Sequence, residues 1–166
     1  MLKSRQFLEL VAETAISAFG DDKPQVRSRS TLVQLYFESP AQHYEVWLRQ
    51  RSSLLELGLH FEGPREENLK RLAVLAEVMP DVIARLGPEV EIEEWTENWT
   101  RLHEARPLPA LDESTALDTG IRLAHYMTVL QPLVSALGPM PEPLRKAGWN
   151  RRRRRTGSAA TPRVGP

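Results

Sequence analysis

His43, Glu45, His60 and Glu62 are the residues of this chain whose types and spacing could do chemistry. Two imidazoles and two carboxylates on one surface can hold a divalent metal or move a proton. For that, all four must face the same way. The segment between them, HYEVWLRQRSSLLELGLHFEG over residues 43–63, alternates hydrophobic and polar residues on either side of Gln50-Arg51-Ser52-Ser53. Alternation is the period of a strand, so the segment reads as a β-hairpin. Tyr44, Val46 and Leu48 share a face with Leu55, Leu57, Leu59 and Phe61, which sets Leu48 opposite Leu55 and Val46 opposite Leu57. On the other face His43 then falls opposite His60 and Glu45 opposite Gly58, with Trp47, Arg49 and Glu56 beside them. A plainer reading competes: this is the solvated face of a half-buried sheet, where alternation places polar residues anyway. The spacing matches no closed metal motif, so no metal is assigned, and His43, Glu45, His60 and Glu62 stand as candidates only.

Other chemistry is thinner. A restriction-type nuclease needs an E-x-K on such a hairpin, and Glu45-Val46-Trp47 and Glu56-Leu57-Gly58 both lack the lysine. Phosphate-cradling glycine loops and the G-x-S-x-G elbow are absent, so no catalytic residue and no cofactor is expected. His103 and His125 stand alone, His125 among apolar residues, where a partly buried and satisfied histidine is expected. Trp95 and Trp99 could stack on a base or a ligand, but core or rim packing is the simpler expectation. The glutamates at 89, 91, 93, 94 and 97 read as a solvated acidic edge that discourages strand pairing.

The elements that must position these residues are legible in outline. Leu8, Val11, Ala12, Ala15 and Phe19 recur at helical spacing, giving a helix over 2–19 stopped by Gly20 and DDKP. STLVQLYFE, residues 30–38, alternates as a strand with Gln34 opposite in face to Val33 and Leu35. After the hairpin, Gly63-Pro64 leads into a helix with a stripe of Leu69, Leu72, Ala73, Ala76 and Met79. Pro80 should break it, and Ile83 and Leu86 continue it as a kinked or second short helix. Residues 90–95 and 97–105 read as one or two further strands. A last helix begins at Asp112 or Asp118 and carries Leu123, Met127, Leu130, Val134 and Leu137, with a kink expected at Pro132. The order is helix, three strands, helix, one or two strands, helix. It predicts an α+β domain over 1–138, with an antiparallel sheet of four or five strands and helices packed on one face.

From Gly138 the composition changes to proline, glycine, small polar residues and arginine, and 139–166 is expected to be a disordered basic tail. The chain's formal net charge is zero, yet Arg145, Lys146, Arg151 to Arg155 and Arg163 are eight bases with no acid among them. The preceding 144 residues hold the other fourteen bases against all 22 acids. An acidic body thus carries a basic end. The arginine fork suits phosphate, and Trp149 could stack beside it. Arg145, Lys146, Trp149, Arg151, Arg152, Arg153, Arg154 and Arg155 are therefore the candidate nucleic-acid-binding residues. Two other readings compete: the tail folds back on the acidic edge, or it is a solubilising extension.

With no cysteine there are no disulfides, thiolate metal sites or cysteine nucleophiles, which suits a reducing cytoplasm. No apolar run is long enough to span a bilayer. The N-terminal apolar pattern is broken by Glu9 and Glu13, against a signal peptide.

The hairpin HYEVWLRQRSSLLELGLHFEG, then EENLKRLAVLAEVM, IEEWTENWTRL and a helix through MTVLQPLV, resembles a bacterial domain of unknown function found C-terminal to restriction-endonuclease-like nuclease domains. The resemblance spans residues 43–137 and implies a DNA-processing or defence setting, although these 166 residues leave no room for a nuclease domain. The element order also resembles type III secretion chaperone-like folds, which implies an acidic homodimer that binds partner polypeptides. The reading reached from sequence is a non-enzymatic accessory protein contacting nucleic acid through its tail, with an acidic protein-interaction dimer as the alternative.

Overall fold

The structure is a computed structural model, and it describes residues 1–20 and 22–142. The expected tail residues, Arg145 through Arg155, lie outside the described residues. Six strands form one antiparallel sheet in the order β1-β2-β3-β4-β6-β5: β1 Gln25–Ser28, β2 Leu32–Tyr36, β3 Gln42–Arg49, β4 Leu54–Phe61, β5 Glu91–Glu94 and β6 Thr100–Pro107. Four helices accompany it: α1 Ser4–Phe19, α2 Arg65–Glu77, α3 Met79–Leu86 and α4 Glu113–Ser135. The α+β class is thus as expected, but the sheet has six strands rather than four or five. The additional one is β1, whose four residues are all exposed. An edge strand without a buried side carries no alternation for pattern reading to find.

The core lies between one sheet face and the helices. Val33, Leu35, Val46, Leu48, Leu55, Leu57, Leu59 and Leu102 meet Phe7, Leu8, Val11 and Ala15 of α1 and Leu123, Met127, Leu130 and Val134 of α4. Polar pins cross the same interface. Tyr44 Oη donates to Gln131 Oε1 (2.9 Å), Arg106 Nη2 to Thr119 Oγ1 (2.7 Å), and Tyr126 Oη and Arg122 to Glu104. Burial and the Glu104 carboxylate push the Tyr126 phenol well up, so it remains a donor. Helix α1 can lie close against α4 because Gly120 has no side chain: a Cβ there would come 2.8 Å from Val11 O and 2.6 Å from Thr14 Cβ.

Helix α4 starts at Asp112, not Asp118, since the Asp112 carboxylate accepts from Thr115 N at 2.8 Å. It runs through Pro132 to Ser135 as one helix. The α2 stripe differs from expectation. Ala73 and Ala76 are exposed, and the buried line is Asn68, Arg71 and Leu75. Its polar members are held by geometry that hydrophobic periodicity does not encode. Asn68 bridges Gly63 and the Asn98 carbonyl, while Arg71 reaches Gln42 Oε1 (2.7 Å) and Gly138 O (2.9 Å). Past Gly138, Met140 is buried in the core against Gly63.

Candidate functional site

The hairpin register is the one its alternation predicts. His43 pairs with His60, Glu45 with Gly58, Val46 with Leu57 and Leu48 with Leu55. Pairing of β4 with β6 then brings His103 beside Gly58 and Arg101 beside His60. One face of the central strands therefore carries Gln34, His43, Glu45, Glu56, His60, Arg101 and His103, with Glu93 from the edge strand β5.

This face is not solvated, which corrects the plainer expectation. His43 is 1 % exposed, His60 3 % and Glu45 4 %, and Glu56, Arg101 and His103 are also buried. The helices named above attach to the opposite face, so these groups are covered by their own neighbours. Trp95, at the end of β5, sets its ring edge-on to His60 at 5.2 Å, with the Arg101 guanidinium 4.7 Å from its centroid and Trp47 and Trp99 at 6.3 and 6.0 Å. Trp95 and Trp99 thus serve packing, as expected, Trp99 being the outer member at 37 % exposure. Buried polar groups persist only when paired or bound, and here the pairing falls into two parts.

The first part is an ion network. Glu56 accepts from Arg49 Nη1 (2.6 Å) and Arg101 Nη1 (3.1 Å), and Arg101 also pairs with Glu93 (2.5 Å). His103 belongs here, although it stood alone in sequence: its Nε2 lies 3.1 Å from Glu93 Oε1 without making a hydrogen bond. Burial and the neighbouring Arg101 charge hold the His103 imidazole below its ordinary pKa, against the pull of Glu93 and Glu56. His125 is the reverse correction, since it lies exposed on α4.

The second part joins all four sequence candidates. His43 Nδ1 lies 2.8 Å from the Pro40 carbonyl, to which it donates, leaving Nε2 as the lone-pair nitrogen. That Nε2 is 3.5 Å from Glu45 Oε2 and 3.9 Å from Glu62 Oε1. His60 Nδ1 lies 3.8 Å from the same Glu62 oxygen and has no hydrogen-bond partner. The imidazoles stack at 5.4 Å between centroids. Ligand atoms of His43, Glu45 and His60 all lie within 4.8 Å of one another, the one such grouping among the described residues. Burial pushes the Glu45 carboxyl up, but the neighbouring His43 and His60 imidazoles and the Gln34 hydrogen bond outweigh it, and the net direction is down. Gln34 completes the group, its Nε2 standing 2.7 Å from Glu45 Oε2 and 3.1 Å from His43 Nε2.

Sequence reasoning placed the four candidates on one face but missed Gln34, the Pro40 carbonyl, Arg101 and His103. The alternation of Arg101 and His103 in the strand read over 97–105 was the available signal. It needed the β4–β6 register to be useful.

What the fold and site define is an α+β protein with one helix-covered sheet face and one buried histidine–glutamate face capped by tryptophans. No protein-family profile matches the chain, and no curated protein matches it. Among the described residues, no helix is long and apolar enough to cross a membrane.

Proposed function

We propose that this chain is a non-enzymatic accessory protein that contacts nucleic acid through Arg145, Lys146, Trp149 and Arg151 to Arg155, in a DNA-processing or defence setting. The observation that carries the reading is the charge division: eight bases and no acid from residue 145, behind a body in which acids exceed bases. Arginine forks match phosphate oxygens, and each contact releases counterions from the nucleic acid. Two features of the body support it. Glu89, Glu91, Glu94 and Glu97 are exposed around strand β5 and repel phosphate there, which leaves attraction to the basic segment. The segment also departs from a fixed root, with Gly138 held by Arg71 and Met140 buried beside Gly63.

Fluorescence anisotropy with a labelled DNA duplex and an RNA tests this, comparing the full chain with one ending at Glu142. The full chain should bind, losing on the order of a hundredfold or more in affinity between 50 and 200 mM salt. The shortened chain should not bind. Equal affinity of the two chains, or no binding by either, rejects the reading. The second reading, an acidic protein-interaction module that acts as a dimer, is favoured by the exposure of the same glutamates.

A further inference from the structure

We infer that the tryptophan-capped sheet face is a binding site for one divalent transition-metal ion of the zinc class, held by His43 Nε2, His60 Nδ1, Glu45 and Glu62. The inference is independent of the nucleic-acid reading, since it uses only described residues of the body.

Three observations carry it. First, the tautomer of His43 is set for ligation. Its Nδ1–H is spent on the Pro40 carbonyl at 2.8 Å, which turns a lone pair at Nε2 toward Glu45 and Glu62. A ligating histidine that donates its other ring N–H to a carbonyl is the usual outer-shell arrangement around a metal. Second, His60 Nδ1 is unpartnered although the residue is 3 % exposed, and it points at the same Glu62 oxygen. A buried nitrogen without a partner is costly, and a metal would satisfy it. Third, the spans suit a small ion. Zinc–ligand bonds of about 2.0–2.2 Å in a tetrahedron place ligand atoms roughly 3.3–3.5 Å apart. Here the ligand atoms of His43, Glu45 and His60 lie within 4.8 Å of one another, and Glu62, outside that group, comes within 3.9 and 3.8 Å of the two imidazoles, so the set must close by about an ångström around the ion.

The chemistry of the set selects the class. Two imidazoles with two carboxylates suit zinc, cobalt, nickel or copper, whereas magnesium and calcium prefer all-oxygen sites. Two negative charges balance the ion's two positive ones. Glu62, at 22 % side-chain exposure, forms the mouth of an otherwise buried set and provides the entry path. The resident competitor is the Gln34 amide, which donates to the Glu45 oxygen and the His43 nitrogen that the ion would take. Metal binding must turn that amide aside.

The test is titration of the full, chelator-dialysed chain with Co²⁺ and then Zn²⁺. One equivalent of Co²⁺ should give the intense visible absorption of a tetrahedral site and quench tryptophan emission through Trp95, which lies 5.2 Å from His60. Zn²⁺ should displace it, and Mg²⁺ should not. Affinity should fall at least tenfold in His43→Ala, His60→Ala and Glu62→Gln. It should hold or rise in Gln34→Ala, and be unchanged in His125→Ala. Should the histidine variants misfold, imidazole ¹⁵N spectra of the unaltered chain decide the matter, because only His43 and His60 should shift on adding Zn²⁺. Absence of one-equivalent uptake, uptake unaffected by His43→Ala and His60→Ala, or shifts at His125 instead, overturns the proposal.

Discussion

Gly58 shows how much of the candidate site depends on an absent side chain. It sits on the polar face between Glu56 and His60 along β4, with Glu45 across on β3 and His103 on β6. A Cβ there would lie 2.3 Å from the Leu102 carbonyl oxygen and 2.6 Å from His103 Cα, both backbone atoms of the neighbouring strand. Backbone cannot step aside as a flexible side chain can, so β4 and β6 would have to separate. Gly58→Ala should therefore cost about 3 kcal/mol, near the upper end for overpacking. Thermal denaturation should show a midpoint lowered by roughly 10 °C. A midpoint within about 2 °C of the parent would mean that the strands adjust freely. The sequence places a glycine opposite Glu45, and that much can be read from alternation. It does not say that the glycine lies under a buried polar cluster. That follows from the β6 register, which no local pattern specifies. For the same reason alternation put His43, Glu45, His60 and Glu62 on one face correctly but described that face as wet.

Elements were legible where hydrophobic periodicity was strong and obscure where polar groups did the holding. Helix α4 buries Leu123, Met127, Leu130 and Val134 as their spacing predicts, but it ends at Ser135, before the expected Leu137, which is only partly buried. In α2 the inward residues include Asn68 and Arg71, whose value lies in their hydrogen bonds, and the expected apolar stripe was rotated away from them. The start of α4 was ambiguous in sequence because Asp112 and Asp118 are both competent N-caps; the Thr115 contact selects Asp112. Hydrogen bonding from the Thr115 backbone and hydroxyl holds the Asp112 carboxyl below its ordinary range. A depressed folded-state pKa contributes stability that is present above the unfolded value, near 3.9, and is lost as pH falls through the folded one. Asp112→Ala should lower the melting midpoint at neutral pH, and the gap from the parent should shrink as the solution is acidified through that range. Asp112→Asn, which keeps an acceptor of fixed charge, should lack this pH dependence. A gap that is constant with pH would remove Asp112 from the cap.

At the scale of the whole molecule, the sheet has unlike ends. Its β1 edge carries exposed Arg27, with Lys23 and Arg29 flanking it, while the β5 edge carries exposed Glu91 and Glu94. A closed two-fold dimer needs a surface complementary to itself, whereas these edges complement each other. Self-association through them is head-to-tail and screened by salt. Light scattering should show a mass that rises with concentration at low ionic strength and a monomer at about 0.5 M salt, where the Debye length is only a few ångström. A dimer indifferent to salt and concentration would instead favour the acidic interaction module. The sequence disclosed the acidic edge but not its basic opposite, because β1 has no pattern of its own.

The single guanidinium of Arg71 has a mechanical consequence. It is 2 % exposed, and it grips Gln42 on β3 with one nitrogen and the carbonyl of Gly138 with another. Gln42 is the chain neighbour of His43. If the C-terminal segment holds a long polymer, tension along it meets buried Met140 first and then Gly138, and the share taken up by the Arg71 fork is passed to the strand bearing His43. The fork's two hydrogen bonds go to different partners and so act in series, and the weaker of the two sets the load it can pass on. One side chain thus links the anchor of the chain to the strand that carries the histidine–glutamate face.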